Sequence, residues 1–333
     1  MKIVVTGASG HIGNNLIRNL VSEGQSVRAL AHTNQRGLEG LGVEIVQADI
    51  CDPDSLRRAF DGADVVYHLA AVVSILKHEW HMVELVNIIG TRNVVEACLR
   101  CGVKRLVHFS SIHAMMQEPL DMPLDESRSL VASLRNPPYD RSKAATEKEV
   151  RRGIEKGLDA IIINPTAVIG PYDTQPSHLG AALLSMANKK MVALVDGGFD
   201  WVDVRDVADG AIKAAKKAPT GSKYLLSGHW VSLRHMADII AEITGVPAPG
   251  FVCPMWMAQL GAPIVTTYDR MFGRRPLYTS ISLNALHSNP YISHEKGTRE
   301  LGYEPRPFRE TIIDTLKWFE QCGKLEHNLK VKQ

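Results

Sequence analysis

The sequence predicts an α/β protein with a doubly wound parallel sheet and a smaller C-terminal α/β domain. Short apolar runs alternate with helical stretches through the first two-thirds of the 333 residues. The runs are apolar throughout, which is typical of strands buried on both faces by helices. The opening stretch, MKIVVTGASGHIG, passes from a strand into a glycine-rich loop. Right-handed βαβ connections then favour a doubly wound sheet.

Each predicted strand is a short β-rich run, and a helical stretch separates most of them from the next. The helical stretches include IGNNLIRNLVSEG, SLRRAF and WHMVELVNIIGTRNVVEACLRCG, with WVDVRDVADGAIKAAKKA at 201–218 further on. The predicted strands are IVVT (3–6), VRALA (27–31), VEIV (43–46), DVVYHL (64–69), RLVHFS (105–110), AIIIN (160–164) and KYLLSG (223–228).

The domain organisation changes where proline and glycine become frequent, after residue 165. We expect a dinucleotide-binding domain at 1–170 and a smaller domain at 171–323 that mainly binds substrate. Residues 199–228 are expected to return to the first domain, because they regain a helix and a strand. The polar tail at 324–333 is expected to fray.

Composition excludes several classes of protein. The net charge of +2 gives no field that would attract nucleic acid or an anionic membrane. No apolar run approaches the roughly 20 residues that span a bilayer, and the start lacks the pattern of a targeting peptide. We therefore expect a cytoplasmic protein. The five scattered cysteines fit reduced thiols, and the pair Cys98 and Cys101 has no second ligand pair, so no metal site is predicted.

The glycine loop is a candidate dinucleotide cradle. Its glycines are spaced Gly7-x-x-Gly10-x-x-Gly13, between a strand and a helix. Such a loop lets backbone N–H groups approach a pyrophosphate at the positive end of the helix. The alternative is a tight turn without a ligand. The candidate pyrophosphate residues are Gly7, Ser9, Gly10, His11, Ile12 and Gly13.

The end of the second strand favours NADP over NAD. An acidic residue about 20 positions after the loop normally binds the adenosine ribose of NAD. Here the stretch reads Ala29-Leu30-Ala31-His32-Thr33 and contains no acid. Arg28 and Arg36 flank it, and basic groups could bind a 2′-phosphate. His32 is a weaker anchor, because an unperturbed imidazole is largely neutral near pH 7.

A tyrosine and a lysine form the second signal. In PPYDRSKAATEKE, Tyr139 and Lys143 are four residues apart and share one helix face. A neighbouring ammonium and a cationic nicotinamide would lower the pKa of the tyrosine. Upstream, Ser110 and Ser111 end a strand, where a hydroxyl could hydrogen-bond a substrate carbonyl.

These motifs together resemble the extended short-chain dehydrogenase/reductase family. They are TGASGHIG, HLAA (68–71), NIIGTRNVVEA (87–97), SSIHA, YDRSK and NPTAVIGP (164–171), in order from residue 1 to about 210. The resemblance implies a catalytic set of Ser111, Tyr139 and Lys143, with Asn87 in the helix behind them. It further implies cofactor contacts from Asp49 and Ile50 (adenine), Leu69, Ala70 and Ala71 (cleft wall), Tyr139, Lys143, and Pro165, Thr166 and Val168 (carboxamide end).

The branch within the family is indicated by two regions. Nucleotide-sugar members usually carry an arginine where this chain has Phe199, whereas Arg205 is expected to form a structural ion pair. The stretch 251–278 is rich in Met and aromatic residues and could be a lid, core or interface. Both features are most similar to the branch of dihydroflavonol reductases and 3β-hydroxysteroid dehydrogenases. The candidate substrate residues are Val73, Ser74, Ile112, His113, Met115 and Trp256.

The sequence thus predicts an NADP(H)-dependent oxidoreductase that interconverts a ketone and a secondary alcohol on a fairly apolar small molecule. An NAD-dependent nucleotide-sugar epimerase or dehydratase with a tightly held cofactor is the alternative. A non-catalytic dinucleotide-sensing regulator is a third possibility, which the intact Ser–Tyr–Lys set disfavours. The family resemblance implies a homodimer through the helices at about 79–101 and 138–157.

Overall fold

The central element is a seven-stranded, fully parallel sheet. The computed structural model describes residues 1–32, 34–74, 77–271, 279–327 and 329. In this sheet the strand order is β10-β6-β5-β4-β1-β2-β3, with every neighbouring pair parallel. The order reverses between β1 and β4, so the carboxyl ends of these strands flank the crevice where ligands of doubly wound sheets bind. The strands are β1 (Lys2–Thr6), β2 (Ser26–Ala31), β3 (Glu44–Gln47), β4 (Val65–His68), β5 (Arg105–Phe109), β6 (Ala160–Pro165) and β10 (Lys223–Leu226).

Helices cover both faces of the sheet. The α-helices are α1 (His11–Ser22), α2 (Pro53–Phe60), α3 (Trp80–Val83), α4 (Gly90–Cys101), α5 (Pro138–Glu155), α6 (His178–Ala187), α7 (Val204–Lys217), α8 (Leu233–Thr244), α9 (Met255–Met271), α10 (Ser280–Ala285), α11 (Glu295–Leu301) and α12 (Phe308–Gln321). Alternate residues of β1 enter two cores: Ile3 and Val5 pack with α1 and α7, and Val4 packs with α2, α4 and α5. This alternation explains why the strands read as continuous apolar runs.

A second core lies beyond the central sheet. A three-stranded sheet has the order β11-β9-β7, and a two-stranded sheet pairs β12 with β8. Buried residues of α6, α8 and α12 pack with Trp201 and Val231 of the three-stranded sheet. These strands are β7 (Ala167–Ile169), β8 (Leu194–Val195), β9 (Gly198–Asp203), β11 (His229–Ser232) and β12 (Val252–Cys253).

The predicted fold class is confirmed, and the seven predicted strands are those of the central sheet. Helix α7 packs into the core of that sheet, whereas β9 belongs to the three-stranded sheet. The domain boundaries stay a prediction.

The described part of the tail contacts the second core, whereas the fraying of 324–333 as a whole stays a prediction. Lys324 donates its ammonium to Thr174 O at 2.7 Å, Glu326 N donates to Asn188 Oδ1 at 2.9 Å, and Leu325 and Leu329 pack against the second core. The described part of the tail is docked because its few apolar residues find partners, which its polar composition concealed.

No helix among the described residues is long and apolar enough to cross a membrane. Within the same residues, no group of three or more His, Cys, Asp or Glu side chains could hold a metal ion. Cys98 is fully buried in the helix packing of α4, as expected of a structural thiol. Of the region 251–278, the part up to Met271 is described, with Trp256 and Leu260 exposed and Ala262 packed inward. Its end, 272–278, lies outside the described residues.

Candidate active site

The glycine loop turns too tightly for side chains. Gly7 has a φ of +67°, and a Cβ there would stand 2.6 Å from Ala70 N. A Cβ on Gly13 would stand 2.3 Å from Gly7 O. Both clashes are with main-chain atoms, so they cannot be relieved by rotating a side chain. The loop therefore requires glycine at both positions.

Helix α1 presents an open positive end above this loop. Its N-cap is Gly10, which supplies no side-chain cap, and its first turn contains no acidic residue. The first N–H groups of a helix have no partner within it and favour anions. Ser9 is half-buried beside them, whereas Ile12 packs into the core. The His11 imidazole instead approaches Pro171 O at 3.0 Å, so this side chain holds the loop after β7 and only its main chain faces the crevice.

His32 and Asp49 lie together at the ends of β2 and β3, and Arg36 follows in the loop after β2. His32 Nε2 lies 3.7 Å from Asp49 Oδ2, and both side chains are largely exposed. Asp49 Oδ1 also accepts from Cys51 N at 2.8 Å. The Arg36 side chain is exposed, and none of the described carboxylates pairs with it. Ile50 is buried against Gly90, beside this region.

Arg28 is not brought to the predicted cofactor site. Its Nε donates to Glu44 Oε2 at 2.9 Å, and its Nη1 donates to Ala59 O at 2.6 Å. Ala59 lies near the C-terminal end of α2, at the amino edge of the sheet. Arg28 is the third residue of the six in β2, too early to reach the carboxyl edge. The prediction that Arg28 helps to bind a 2′-phosphate does not fit this placement.

The segment after β4 is fastened beside the glycine loop. Thr6 Oγ1 accepts from Leu69 N and from Ala70 N, each at 3.2 Å. Leu69, Ala70 and Ala71 are half-buried there, at the carboxyl edge of the sheet. The main chain of Leu69 and Ala70 thus lies against Gly7, where it leaves no room for a side chain.

Ser111 and Tyr139 meet across the ends of β5 and α5. The Tyr139 side chain interacts with that of Ser111, and Ser111 Oγ accepts a hydrogen bond from His113 N at 3.2 Å. Since that N–H occupies one acceptor position, the serine proton remains available for another oxygen. Ser110 is also buried, and its hydroxyl has no partner within the described part of the chain. The structure thus brings Ser111, rather than Ser110, to Tyr139.

Lys143 lies buried one helical turn from Tyr139. Its ammonium donates to Phe109 O at 2.9 Å and lies 5.9 Å from the centre of the Tyr139 ring. Burial lowers the pKa of Lys143 to about 8. Burial also raises the pKa of Tyr139 to about 12, and the interaction with Ser111 opposes that rise. Desolvation of the phenolate thus outweighs the other influences of the chain on the pKa of Tyr139, and the lowering expected from a bound cationic nicotinamide stays a prediction.

Asn87 connects the cleft wall to α5. It lies in a π-helical segment, Glu84–Ile89, that continues α3 into α4. Its Oδ1 accepts from Val72 N at 2.7 Å, and its Nδ2 donates to Val72 O and to Ser142 Oγ. Such π-helical turns are frequent at functional sites. Asn87 is thus behind Tyr139 and Lys143, at the place expected of it.

A small open cleft begins at the two residues that follow Ser111 in the chain. The predicted substrate residues Ile112 and His113 line it, and so does Thr166, whose Oγ1 donates to Asp200 Oδ1 at 2.7 Å. Burial raises the pKa of Asp200 to about 6. The cleft is lined by Ile112, His113, Gln117, Thr166, Ala167, Gly198, Phe199, Asp200, Trp230, Ser288, Asn289 and Ile292.

Four predicted substrate residues lie outside the cleft lining. Met115 is fully buried in a small core with Leu124 and Leu225. Val73 and Trp256 are 57% and 63% exposed, and Ser74 is buried with a hydrogen bond to Glu79. Of the two other residues expected near the nicotinamide, Val168 packs against the sheet core and Pro165 ends β6. Trp230, Asn289 and Ile292 also line the cleft, but the sequence did not predict this, because they come from distant segments and carry no motif.

Two buried histidines lie under the site. His68 Nδ1 is 2.8 Å from Thr6 Oγ1, and His108 Nε2 is 3.0 Å from Thr146 Oγ1. Burial lowers the pKa of His68 to about 3 and that of His108 well below its usual value. Both rings are therefore neutral at neutral pH, but they protonate near pH 6.5 once the chain unfolds.

Acid should consequently destabilise the fold through these histidines. Between pH 6 and 5 the unfolded chain binds their protons and the folded chain does not, so the free energy of unfolding falls as pH falls, by up to about 1.4 kcal/mol per pH unit for each ring. We expect His108→Gln to reduce that slope by about one ring's share, measured by urea unfolding at several pH values. The exposed His235→Gln should keep the wild-type slope. Equal slopes in His108→Gln and wild type would contradict the neutral state of His108.

The residues at the carboxyl edge fit a dinucleotide. The glycine cradle and the uncapped start of α1 suit a pyrophosphate, small side chains follow β4, and Ser111, Tyr139 and Lys143 lie beyond them. The polar groups are thus arranged from the end of β2 to the cleft, across the point where the strand order reverses.

Comparison with known proteins agrees with this geometry. The chain is 34% identical over 329 residues to sterol demethylase protein B of Methylococcus capsulatus, covering 98% of this chain and 100% of that protein. It is 30% identical over 325 residues to a putative dihydroflavonol 4-reductase of Synechocystis sp., covering 96% and 94%. The crystal structure of gox2253 has a TM-score of 0.85 and 32% identity, covering 97% and 99%.

The profile of the NAD dependent epimerase/dehydratase family matches residues 3–227. This match spans the whole central sheet, including the glycine loop, Ser111 and the Tyr139–Lys143 pair. The chain therefore belongs to the NAD dependent epimerase/dehydratase family of extended short-chain dehydrogenases/reductases, and it is an NAD(P)-dependent oxidoreductase that acts on CH–OH groups.

Proposed function

We propose that this enzyme interconverts a ketone and a secondary alcohol on a fairly apolar small molecule, with NADP(H) preferred over NAD(H). The observation that carries this proposal is the interaction of the Ser111 and Tyr139 side chains next to a largely apolar cleft, which Ile112 and His113 line. A protonated phenol and a hydroxyl group that lie together in this way could both donate hydrogen bonds to the carbonyl oxygen of a substrate.

Each residue then has a defined role. The Tyr139 hydroxyl donates its proton to the carbonyl oxygen during reduction, and the raised pKa of Tyr139 keeps that proton in place at neutral pH. The Ser111 hydroxyl donates a hydrogen bond to the same oxygen as it becomes an alkoxide. Lys143 holds the nicotinamide ribose and supplies positive charge near Tyr139. The dinucleotide, when bound, supplies or accepts the hydride at the carbonyl carbon.

The cleft favours an apolar substrate. Ile112, Phe199, Trp230 and Ile292 supply apolar surface. The Asn289 amide nitrogen donates to three main-chain carbonyls, and its oxygen accepts from Tyr291 N. Gln117 likewise donates to the carbonyls of Ile112 and Met115. These amide groups already hydrogen-bond within the protein, so the cleft is less polar than the types of residue that line it would suggest. Two relatives named for sterol and dihydroflavonol chemistry support ring-shaped substrates.

A nucleotide-sugar substrate is less well supported. Phe199 lines the cleft where an arginine would bind a diphosphate. The Arg205 guanidinium forms ion pairs with Asp203 and Asp314, each at 2.7 Å, in line with the structural ion pair that the sequence predicts. The side chains of Arg270, Arg274 and Arg275, any of which could substitute, lie outside the described part of the chain.

The preference for NADP rests on the ends of β2 and β3. Arg36 is exposed and without a carboxylate partner among the described residues, and His32 is exposed nearby. Asp49 is the acidic group in this region, but it lies on the loop after β3 and approaches His32. A 2′-phosphate would meet these basic groups without the repulsion of an acid at the end of β2.

A turnover assay tests the proposed function. NADPH carrying deuterium at C4 is incubated with a panel of cyclic ketones, and the products are analysed by mass spectrometry and NMR. We expect deuterium on the carbinol carbon, and a higher kcat/KM for NADPH than for NADH. Arg36→Ala should reduce that preference, whereas the exposed Arg58→Ala on α2 should not. Failure to transfer deuterium to any ketone, with conversion of sugar nucleotides instead, would overturn the proposal.

The enzyme is also proposed to be a homodimer. Met82, Leu85 and Ile89 are exposed apolar side chains along α3 and the π-helical segment, within the helices that the family resemblance assigns to the interface. The cytoplasmic location stays a prediction.

A further inference from the structure

A buried polar chain lies behind Ser111 and Lys143. Lys223 Nζ on β10 is 2.6 Å from Glu147 Oε2 on α5. Asn164 on β6 donates from Nδ2 to Glu147 Oε1 at 2.8 Å and to Ser111 O at 2.9 Å. The side chains of Glu147 and Lys223 are 0% and 6% exposed. The three residues thus connect three elements of the central fold to the main chain of Ser111.

Stability alone does not explain this chain. Removing two charges from water costs several kcal/mol for each ion, which their attraction in the interior repays only in part. A well-packed apolar pair of similar volume is often as stable. The ion pair is therefore better explained by what it holds in place than by its contribution to folding.

The geometry connects Glu147 to two residues of the candidate active site. Glu147 follows Lys143 by four positions on α5, so the two side chains lie on the same face. Through Asn164, the same carboxylate fastens Ser111, whose carbonyl also accepts from Ala114 N at 3.0 Å. One carboxylate is therefore linked to the main chain of Ser111 and, one helical turn away, to the Lys143 ammonium.

We propose that Glu147 is a positioning residue, which fixes the main chain of Ser111 through Asn164 and favours the charged form of Lys143 from one helical turn away. This inference rests on the roles proposed for Ser111 and Lys143. Glu147 touches neither the substrate nor the dinucleotide; it acts through these two residues.

Glu147 is the acidic residue whose charge raises the pKa of Lys143. Burial lowers the pKa of Lys143, and the charge of Glu147 opposes that fall. His68 on β4 and His108 on β5 face the same ammonium, and both are neutral at neutral pH because burial lowers their pKa values. Asp140 acts on Tyr139 instead, and Lys223 is held by the Glu147 carboxylate.

The test measures the titration of Lys143 directly. Enzyme labelled with 13C at lysine Cε is titrated by NMR, and the Lys143 signal is assigned by its loss in Lys143→Met. We expect Glu147→Gln to lower the Lys143 midpoint by about one pH unit, because a nearby opposite charge is removed. The exposed Glu155→Gln, on the same helix, should leave the midpoint unchanged.

A second variant keeps the test decisive if Glu147→Gln folds poorly. The double variant Glu147→Gln/Lys223→Gln replaces the ion pair by two amides that can hydrogen-bond to each other, and it should also lower the Lys143 midpoint, though by less. An unchanged midpoint in the folded variants, with only a lower Tm, would overturn the positioning role. Full turnover by Tyr139→Phe with a shifted Lys143 midpoint would instead overturn the proposed function and leave the Glu147 coupling intact.

Discussion

Replacing Tyr139 by phenylalanine is expected to lower kcat for ketone reduction by between about 100- and 10,000-fold, the usual contribution of a positioned acid–base group. The substitution removes the hydroxyl that interacts with the Ser111 side chain and keeps the ring on α5. Affinity for NADPH should stay within about twofold, since the phenol is not the main anchor in this account. Single-turnover NADPH oxidation and a fluorescence titration of NADPH measure the two quantities separately.

Tyr291→Phe is the matched control for that experiment. Tyr291 is 60% exposed, so losing its hydroxyl should leave both kcat and NADPH affinity unchanged. If Tyr139→Phe kept kcat within twofold of wild type, the proton donor would have to be another group. A loss of NADPH affinity as large as the loss of kcat would place Tyr139 in binding rather than in proton transfer.

Gly13→Ala is expected to weaken dinucleotide binding by at least about tenfold, or 1.4 kcal/mol. The added Cβ would stand 2.3 Å from Gly7 O and 3.0 Å from Ala8 O, so the loop must open and α1 must shift. The N–H groups at the start of α1 would then no longer face the position of the pyrophosphate. Titration of NADPH by intrinsic fluorescence or calorimetry gives the change in Kd.

Gly250→Ala controls for the general effect of removing a glycine. A Cβ at Gly250 meets no atom within 4 Å, and its backbone is not in the left-handed region. We expect unchanged NADPH affinity and an unchanged Tm in this variant. An unchanged Kd in Gly13→Ala would show that the loop does not hold the dinucleotide.

The strands of the central sheet could be predicted because each one shows its burial in its own short run of residues. Strands buried on both faces read as continuous apolar runs, and KYLLSG (223–228) was identifiable as a strand of this kind. The strands β7, β8 and β12 have two or three residues each, too few to show a pattern. The π-helical segment at Glu84–Ile89 also has no sequence signal, because it depends on how α4 packs against α5.

The structure brings together the site residues whose motifs imply a shared geometry, and the roles of these residues stay predictions. The spacing of Tyr139 and Lys143 placed both on one helix face, and the strand-end position of Ser111 placed it beside them. The position of Arg28, three residues before the end of β2, could have excluded it as a ligand of the 2′-phosphate.

Other residues of the site had weaker signals. Glu147 is a charged residue one turn after Lys143, on the face of α5 that also carries buried Ala144 and Val150, and this was a usable signal of a buried charge. Its partners Asn164 and Lys223 come from β6 and β10, and only the fold brings them together.

The proposed function depends most on an exchangeable NADP(H) that serves reversible ketone reduction. The most direct test is to identify the dinucleotide carried by the purified enzyme and to measure its exchange with added labelled NADPH. We predict a site that is empty or that holds NADP(H) which exchanges fully. A stoichiometric NAD that survives purification and does not exchange would contradict both the cofactor preference and the reductase assignment, and it would favour internal recycling as in an epimerase.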